Sequence, residues 1–330
     1  MTESPLQIAD DIYQVQLPLP FALRIVNCYL LRGSHGWTVV DTGLNRPEAQ
    51  GVWLAAFEAL DITPQTIQQI VLTHVHPDHY GMAGWLQRWC QAGGGLPPVF
   101  ASTREARAAE TLWWPDDGRA PIISAFMRDC GVPDELISAI VEGIVSTRAM
   151  TLPHPPLVKT LEPGQMLRMG ERDFRLIHAP GHSDGQLLFY DSADRLLLSG
   201  DHVLMKITPN IGLWPDTEPE PLRRFLESLR ELRWLDVRLA LPGHKALITD
   251  WQTRIDQLLA HHDERLSHVY DAVADRSTVY EVSRQIFDFE RLSNHERRFA
   301  IVETLAHLEF LVRVGELEEQ AEGVKHYWRA

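Results

Sequence analysis

The stretch Thr73-His74-Val75-His76-Pro77-Asp78-His79 sets three imidazoles and a carboxylate side by side, immediately after an apolar run over residues 67–73 that reads as a buried strand. A strand that stops at a polar string places that string at the edge of a sheet. In extended backbone His74 and His76 project to the same side, so two imidazoles face one cation, while Pro77 keeps His76 extended and turns the chain. Asp78 and His79 then face elsewhere, a carboxylate and an imidazole suited to a second cation close by. Two cations need more ligands than these four. The chain supplies candidates at three later turns: His182 in Ala179-Pro180-Gly181-His182, Asp201 in Ser199-Gly200-Asp201 and His244 in Pro242-Gly243-His244. Each stands at or just past a predicted strand end, where loops from distant sequence converge. A carboxylate shared by both cations would give each of them three or four protein ligands and leave room for water.

Outward from this string, residues 12–17, 25–32 and 37–41 are short and β-rich, residues 46–60 have helical spacing, and residues 81–90 and 98–101 read as a helix and a strand. Residues 103–150 break that rhythm and are mostly helical around a Trp113-Trp114-Pro115 interruption, which reads as an insertion. Strands return at residues 174–178, 186–190, 195–198 and 237–241, with a helix over 221–232 before the last of them. The expected division is a catalytic domain over residues 1–250 and a C-terminal domain over 251–330 made of three helices and a terminal hairpin, a winged-helix-like order.

The chain of 330 residues carries 31 Lys+Arg against 45 Asp+Glu, a net charge of −14 that repels polyanions and anionic membranes. Residues 251–330 hold ten basic and fifteen acidic residues, so the winged-helix-like shape is not matched by a charge that favours duplex binding. Cys28, Cys90 and Cys130 show no C-x-x-C spacing and suit a reducing compartment. With no signal-peptide pattern and no long uncharged apolar run, the expected location is cytoplasmic.

The ordered set of His74-x-His76-x-Asp78-His79, Gly181-His182, Gly200-Asp201 and Gly243-His244 resembles the metallo-β-lactamase fold superfamily over residues 10–250. The resemblance implies an α+β class, an αββα sandwich, here with the C-terminal module appended. It implies that His74, His76 and His182 bind one metal, that Asp78, His79 and His244 bind the second, and that Asp201 bridges them. Asp41, in Val39-Val40-Asp41-Thr42-Gly43, matches the family's first motif, a buried carboxylate supporting the ligands. Two divalent ions are implied, zinc first, with iron or manganese suiting the same donors. No cysteine stands at a motif position, unlike in two subclasses of zinc β-lactamases. The residues after Asp201 lack the glutathione-binding sequence of true glyoxalase II, so the chain looks more like a glyoxalase II-like or β-lactamase-like protein 2-like branch with a C-terminal module.

The leading expectation is a dinuclear hydrolase in which a metal-bridging hydroxide cleaves a small acyl substrate, an ester, thioester or lactone, with Asp78 relaying a proton and Asp41 supporting the site. A phosphodiesterase or endoribonuclease is the alternative, with Lys206, Arg223, Arg224, Arg297 and Arg298 as its few cationic candidates. Iron-dependent redox or sulfur chemistry ranks third. Tyr80, Trp113, Trp114, Phe126, Met205, Lys206 and Trp214 are the candidate substrate contacts. A small molecule and a second copy of the chain are the expected partners, rather than nucleic acid or membrane. His178, His202, His261, His262 and His268 have no partner pattern and read as surface or core residues.

Overall fold

Strands with apolar side chains on both faces must be covered on both, and that requirement sets the architecture. The computed structural model describes residues 4–113, 118–156, 158–320 and 323–330. The chain begins with β1 (Leu6–Ala9), β2 (Ile12–Pro18), β3 (Ile25–Gly33) and β4 (Gly36–Val40), then α1 (Pro47–Ala59), β5 (Ile67–Val71), the single turn α2 (Pro77–Tyr80), α3 (Ala83–Ala92) and β6 (Val99–Ser102). Helices α4 (Thr103–Trp113), α5 (Arg119–Asp129) and α6 (Asp134–Ala149) precede β7 (Val158–Leu161), β8 (Met166–Met169), β9 (Arg172–His178), β10 (Leu187–Asp191) and β11 (Leu196–Gly200). Then come α7 (Pro221–Leu232), β12 (Leu239–Pro242), α8 (Trp251–Ala272), β13 (Ser277–Thr278), α9 (Val279–Ile286), α10 (Asn294–Arg313), β14 (Leu317–Gln320) and β15 (His326–Arg329).

One sheet runs from β1 to β7 in chain order, antiparallel as far as β4 and parallel beyond it. The second has the order β12-β11-β10-β9-β8, in which only β11 and β12 are parallel. Along β3, Cys28 and Leu30 pack with Trp53 and Phe57 of α1 and Leu86 of α3, whereas Tyr29 and Leu31 point the other way, into a cluster with Phe174, Leu187 and Phe189 of the second sheet. On β10 the alternation recurs: Leu187 and Phe189 face the first sheet, and Leu188 and Tyr190 pack with Phe225 of α7 and Ile255 of α8. The period of two on both sheets yields an αββα sandwich. Each fully buried Leu or Phe in it contributes about 1.5–3 kcal/mol. The sequence pattern misses β1, β7 and β8, which form sheet edges and carry exposed, non-alternating side chains.

The insertion is not a separate flap. Ile123 and Met127 of α5 and Ile137 and Ile140 of α6 share one apolar cluster with Val279, Val282, Ile301, Leu305 and Tyr327 of the C-terminal elements. Helix α8 begins at the expected boundary and joins the two parts: Ile255 and Leu258 pack in the sandwich core, and Val269 in the second core. Capping boxes start α9 (Thr278 with Glu281) and α10 (Ser293 with Glu296), each contributing about 1 kcal/mol. The terminal strands pair in the order β13-β15-β14. Among the described residues, no helix is long and apolar enough to cross a membrane.

Candidate metal centre

Four strand ends deliver the polar side chains to one place. The chain leaves β5 at Val71 and enters α2 at Pro77, carrying His74, His76, Asp78 and His79; His182 lies between β9 and β10, Asp201 follows β11, and His244 follows β12. Their donor atoms form three groups, each compact enough for one cation: His74 with His76 and His182; Asp78 with His79 and His244; His74 with His79 and Asp201. Asp201 lies between the first two groups, 3.8 Å from His182 Nε2, 3.4 Å from His79 Nε2 and 3.2 Å from His244 Nε2. Asp78 Oδ2 is 3.2 Å from the same His244 nitrogen. Gly243 is required by contact. A Cβ there would stand 2.2 Å from Asp201 Oδ1 and 2.6 Å from His79 Cε1.

Four of the five rings are aimed by an acceptor behind them, and His76 Nδ1 lies 2.8 Å from His182 Nε2. His79 Nδ1 donates to Asp41 Oδ2 at 2.8 Å, His182 Nδ1 to the Asn210 carbonyl at 2.9 Å, and His244 Nδ1 to the Ile25 carbonyl at 2.7 Å. His74 Nδ1 donates to the Thr73 hydroxyl at 2.9 Å, which in turn donates to Asp41 Oδ2 at 2.9 Å. Asp41 thus orients ligands of both groups. It does so from left-handed backbone, φ 58°, a conformation that costs a non-glycine residue energy and that the surrounding bonds hold in place. With the Nδ1 protons so placed, the other ring nitrogens of His74, His79 and His244 are directed inward; these three atoms and Asp201 Oδ1 are buried with no hydrogen-bond partner. Buried polar atoms left open on one side are costly, and a cation between them satisfies all four. The nitrogen and oxygen donors therefore fit divalent metal.

The electrostatics agree. Burial holds His74 well below the usual histidine range, takes His76 down to about 3 and lowers His182, so these rings are neutral donors. Burial also opposes charge on His79 and His244, but Asp201, with Asp41 and Asp78, overrides it, raising His79 and pushing His244 up to about 10. Against the cost of burial, His79 and His244 bring Asp78 down to about 2, and His244 and His79 hold Asp201 well below the carboxylate range. The pocket is thus built to keep anions ionised and to attract positive charge.

The expected substrate contacts fare differently. Tyr80 is buried in the first-sheet core with its hydroxyl 3.0 Å from His154 Nδ1. Trp113 is buried beside it, its indole N–H donating to the Val75 carbonyl at 2.7 Å, so it braces the histidine string from behind. Both side chains pack in the core beneath the first sheet. Phe126 and Trp214 stack on one another at 6.5 Å in the second core, and Met205 is half-buried against the outer face of the second sheet. Lys206 is exposed, in left-handed backbone. Trp114 lies outside the described residues.

Other residues matter that the motifs do not reveal. Glu105 of α4 is buried, its pKa raised by that burial, and it accepts hydrogen bonds from the Val75 and Gly185 amides and the Ser183 hydroxyl, tying the histidine string to the loop of His182. Asn210, which holds His182, donates through its side-chain amide to the Phe299 carbonyl and to Glu303 of α10. Helix α10 thereby forms a wall of the centre. Nothing in the helical spacing around Glu105 or Glu303 distinguishes either from a solvated acid.

Comparison with known proteins matches residues 22–244 to the family model "Metallo-beta-lactamase superfamily" and residues 266–330 to "Metallo-beta-lactamase-like, C-terminal domain". The chain is 25% identical to the Bacillus subtilis (strain 168) protein named "Probable metallo-hydrolase YqjP", over 97% of this chain and 95% of that protein. A crystal structure of a metallo-beta-lactamase family protein from Thermus thermophilus superposes with a TM-score of 0.88 at 32% identity, covering 98% of this chain and 100% of the other. A more distant relative is named "Atrochrysone carboxyl ACP thioesterase nsrC", from Aspergillus novofumigatus (strain IBT 16806); it is 24% identical over 77% of this chain and 60% of its own length.

Proposed function

Because the chain belongs to the metallo-beta-lactamase superfamily and is one of its metallo-hydrolases, we propose that it holds two metal ions and cleaves a small acyl substrate, an ester, thioester or lactone. His74, His76 and His182 would hold one ion and Asp78, His79 and His244 the other, with Asp201 shared and zinc the first choice of metal. The observation that carries this reading is the set of four inward-facing buried atoms without hydrogen-bond partners on His74, His79, His244 and Asp201. Bound there, such a pair of ions supplies a water acidified toward neutral pH and a Lewis acid for the substrate oxygen.

The protein's own part is positioning. Asp41, Thr73, Asn210 and the Ile25 carbonyl fix the ring tautomers, and Asp78, more open to solvent than Asp201 (14% against 8%), is the acid placed to pass a proton outward. An acyl substrate is favoured over a phosphate chain because three of the five cationic candidates are engaged elsewhere. Arg223 pairs with Glu220 and Glu227, Arg224 with Asp184, and Arg297 bonds to the Phe289 carbonyl and Asn294. The thioesterase named among the relatives supports a thioester first. Three buried free cysteines suit a reducing cytoplasm, and the C-terminal order of helix, short strand, two helices and hairpin suits a winged-helix-like module that packs against the sandwich.

Assay of the metal-loaded protein against thioesters, lactones, β-lactams and phosphodiesters tests the proposal. Acyl hydrolysis that disappears in His76→Ala supports it; hydrolysis of phosphodiesters alone refutes it.

A further inference from the structure

Among the five cationic side chains considered above, Arg298 alone is buried, and it has no acid paired to it among the described residues. The residue is 8% exposed, its Nε is buried with no hydrogen-bond partner, and no carboxylate lies within 4.0 Å of it among the described residues. Its single side-chain hydrogen bond runs from Nη2 to His295 Nδ1, 3.2 Å away on the preceding turn of α10. The acids of the same helix are committed elsewhere: Glu296 closes the capping box with Ser293, and Glu303 accepts from Asn210. The guanidinium also lies over the Phe299 ring, 4.7 Å from its centroid, which offsets part of the cost of burial but leaves the Nε proton without an acceptor, a donor that an anion would satisfy.

The position of Arg298 on α10 says which site it serves. On two flanks helix α10 packs against the segments that hold the candidate metal ligands. On one side Asn210 links His182 to the Phe299 carbonyl and Glu303. On the other, His295 stacks on Phe21 at 4.3 Å, in the loop that runs on to Ile25, whose carbonyl holds His244. Burial and the adjacent Arg298 push His295 down to about 4 against the pull of Asp78 and Glu296. The ring is therefore neutral and accepts from Arg298 instead of competing with it for an anion.

We propose that Arg298 binds an oxyanion, a carboxylate or phosphate, carried by the acyl substrate, so that the C-terminal module supplies a specificity residue to the metal centre. The inference rests on the hydrolase reading for the location of the substrate. The free Nε edge of the guanidinium offers the planar fork that carboxylate and phosphate oxygens accept.

Two measurements test it. In the metal-free protein, calorimetric titration with glutarate and with inorganic phosphate should show binding that a neutral diamide lacks and that Arg298→Met abolishes; the stronger of the two identifies the oxyanion. No binding of either anion by the wild-type protein overturns the site, whether or not the protein is a hydrolase. In the metal-loaded enzyme, matched thioesters differing only in a terminal carboxylate or phosphate should be separated by kcat/KM, and Arg298→Met should reduce the charged-to-neutral ratio on the order of 100-fold, with Arg298→Lys recovering part of it. An equal loss on charged and neutral members, with a lower melting temperature, would make Arg298 a structural residue and overturn the proposal.

Discussion

Two groups of histidines are buried in this molecule, and they differ in what stands behind and in front of each ring. At the strand ends His74, His79 and His244 are fully buried, each with an acceptor on its outer nitrogen and, within the cluster, Asp78 and Asp201. Between α8 and α10, His262 and His307 are equally buried, their rings stacked at 5.4 Å and His262 edge-on to Phe225, with no carboxylate paired to either among the described residues. Burial takes His262 down to about 2 and His307 to about 4, and no acid pulls either back. A buried imidazole is therefore not in itself a ligand. Acids in front of the ring and an acceptor behind it make it one.

Removing an acid should break this contrast most severely. Asp201→Ala is expected to lower kcat/KM by a factor on the order of 1,000 and to release metal, which paired kinetics and elemental analysis would show. Gly243→Ala forces its new methyl onto Asp201 Oδ1 and His79; a loss of roughly 100-fold in activity with weakened metal retention is expected, measured as activity against chelator concentration. Asp41→Asn leaves the ligand atoms in place but removes the anion behind His79 and Thr73, and metal affinity should fall about 10- to 100-fold in competition with a chromogenic chelator.

The second group gives the smallest and most selective effect. His262 has a folded-state pKa far below its unfolded value, so between about pH 6.5 and pH 2 the unfolded chain binds the proton that the folded chain refuses. Its contribution is fully present above about pH 6.5 and is lost as the pH falls, reaching about 2 kcal/mol at pH 5. His262→Phe should flatten the acid limb of the stability curve, measured by urea unfolding at about pH 7 and pH 5, and leave metal content as in the wild-type protein. Loss of metal in this variant would erase the distinction between the two groups.

The same contrast explains what could be read from sequence. His74, His76, Asp78 and His79 stand on one segment whose local geometry suffices to group them, and the Gly-His and Gly-Asp turns announce the others at strand ends. Residues 261–262 show two adjacent histidines just as plainly, but their partner His307 lies on another helix and no pattern joins them. Glu105 and Asn210 act through contacts with segments far off in sequence, so their spacing within their own elements carries no sign of a role. The shared core of α5, α6 and α10 is hidden for the same reason: each helix shows an apolar face, and nothing local states which faces meet. Edge strands β1, β7 and β8 escape because exposure removes the alternation that marks the central ones.

The central claim is that the strand-end donors form one centre for two cations. Its most direct test is elemental analysis of the purified native protein after removal of loosely held metal. Two divalent ions per chain, both absent from Asp201→Ala, is the predicted result; a wild-type protein that retains one ion or none when saturated with zinc, iron or manganese would contradict the account.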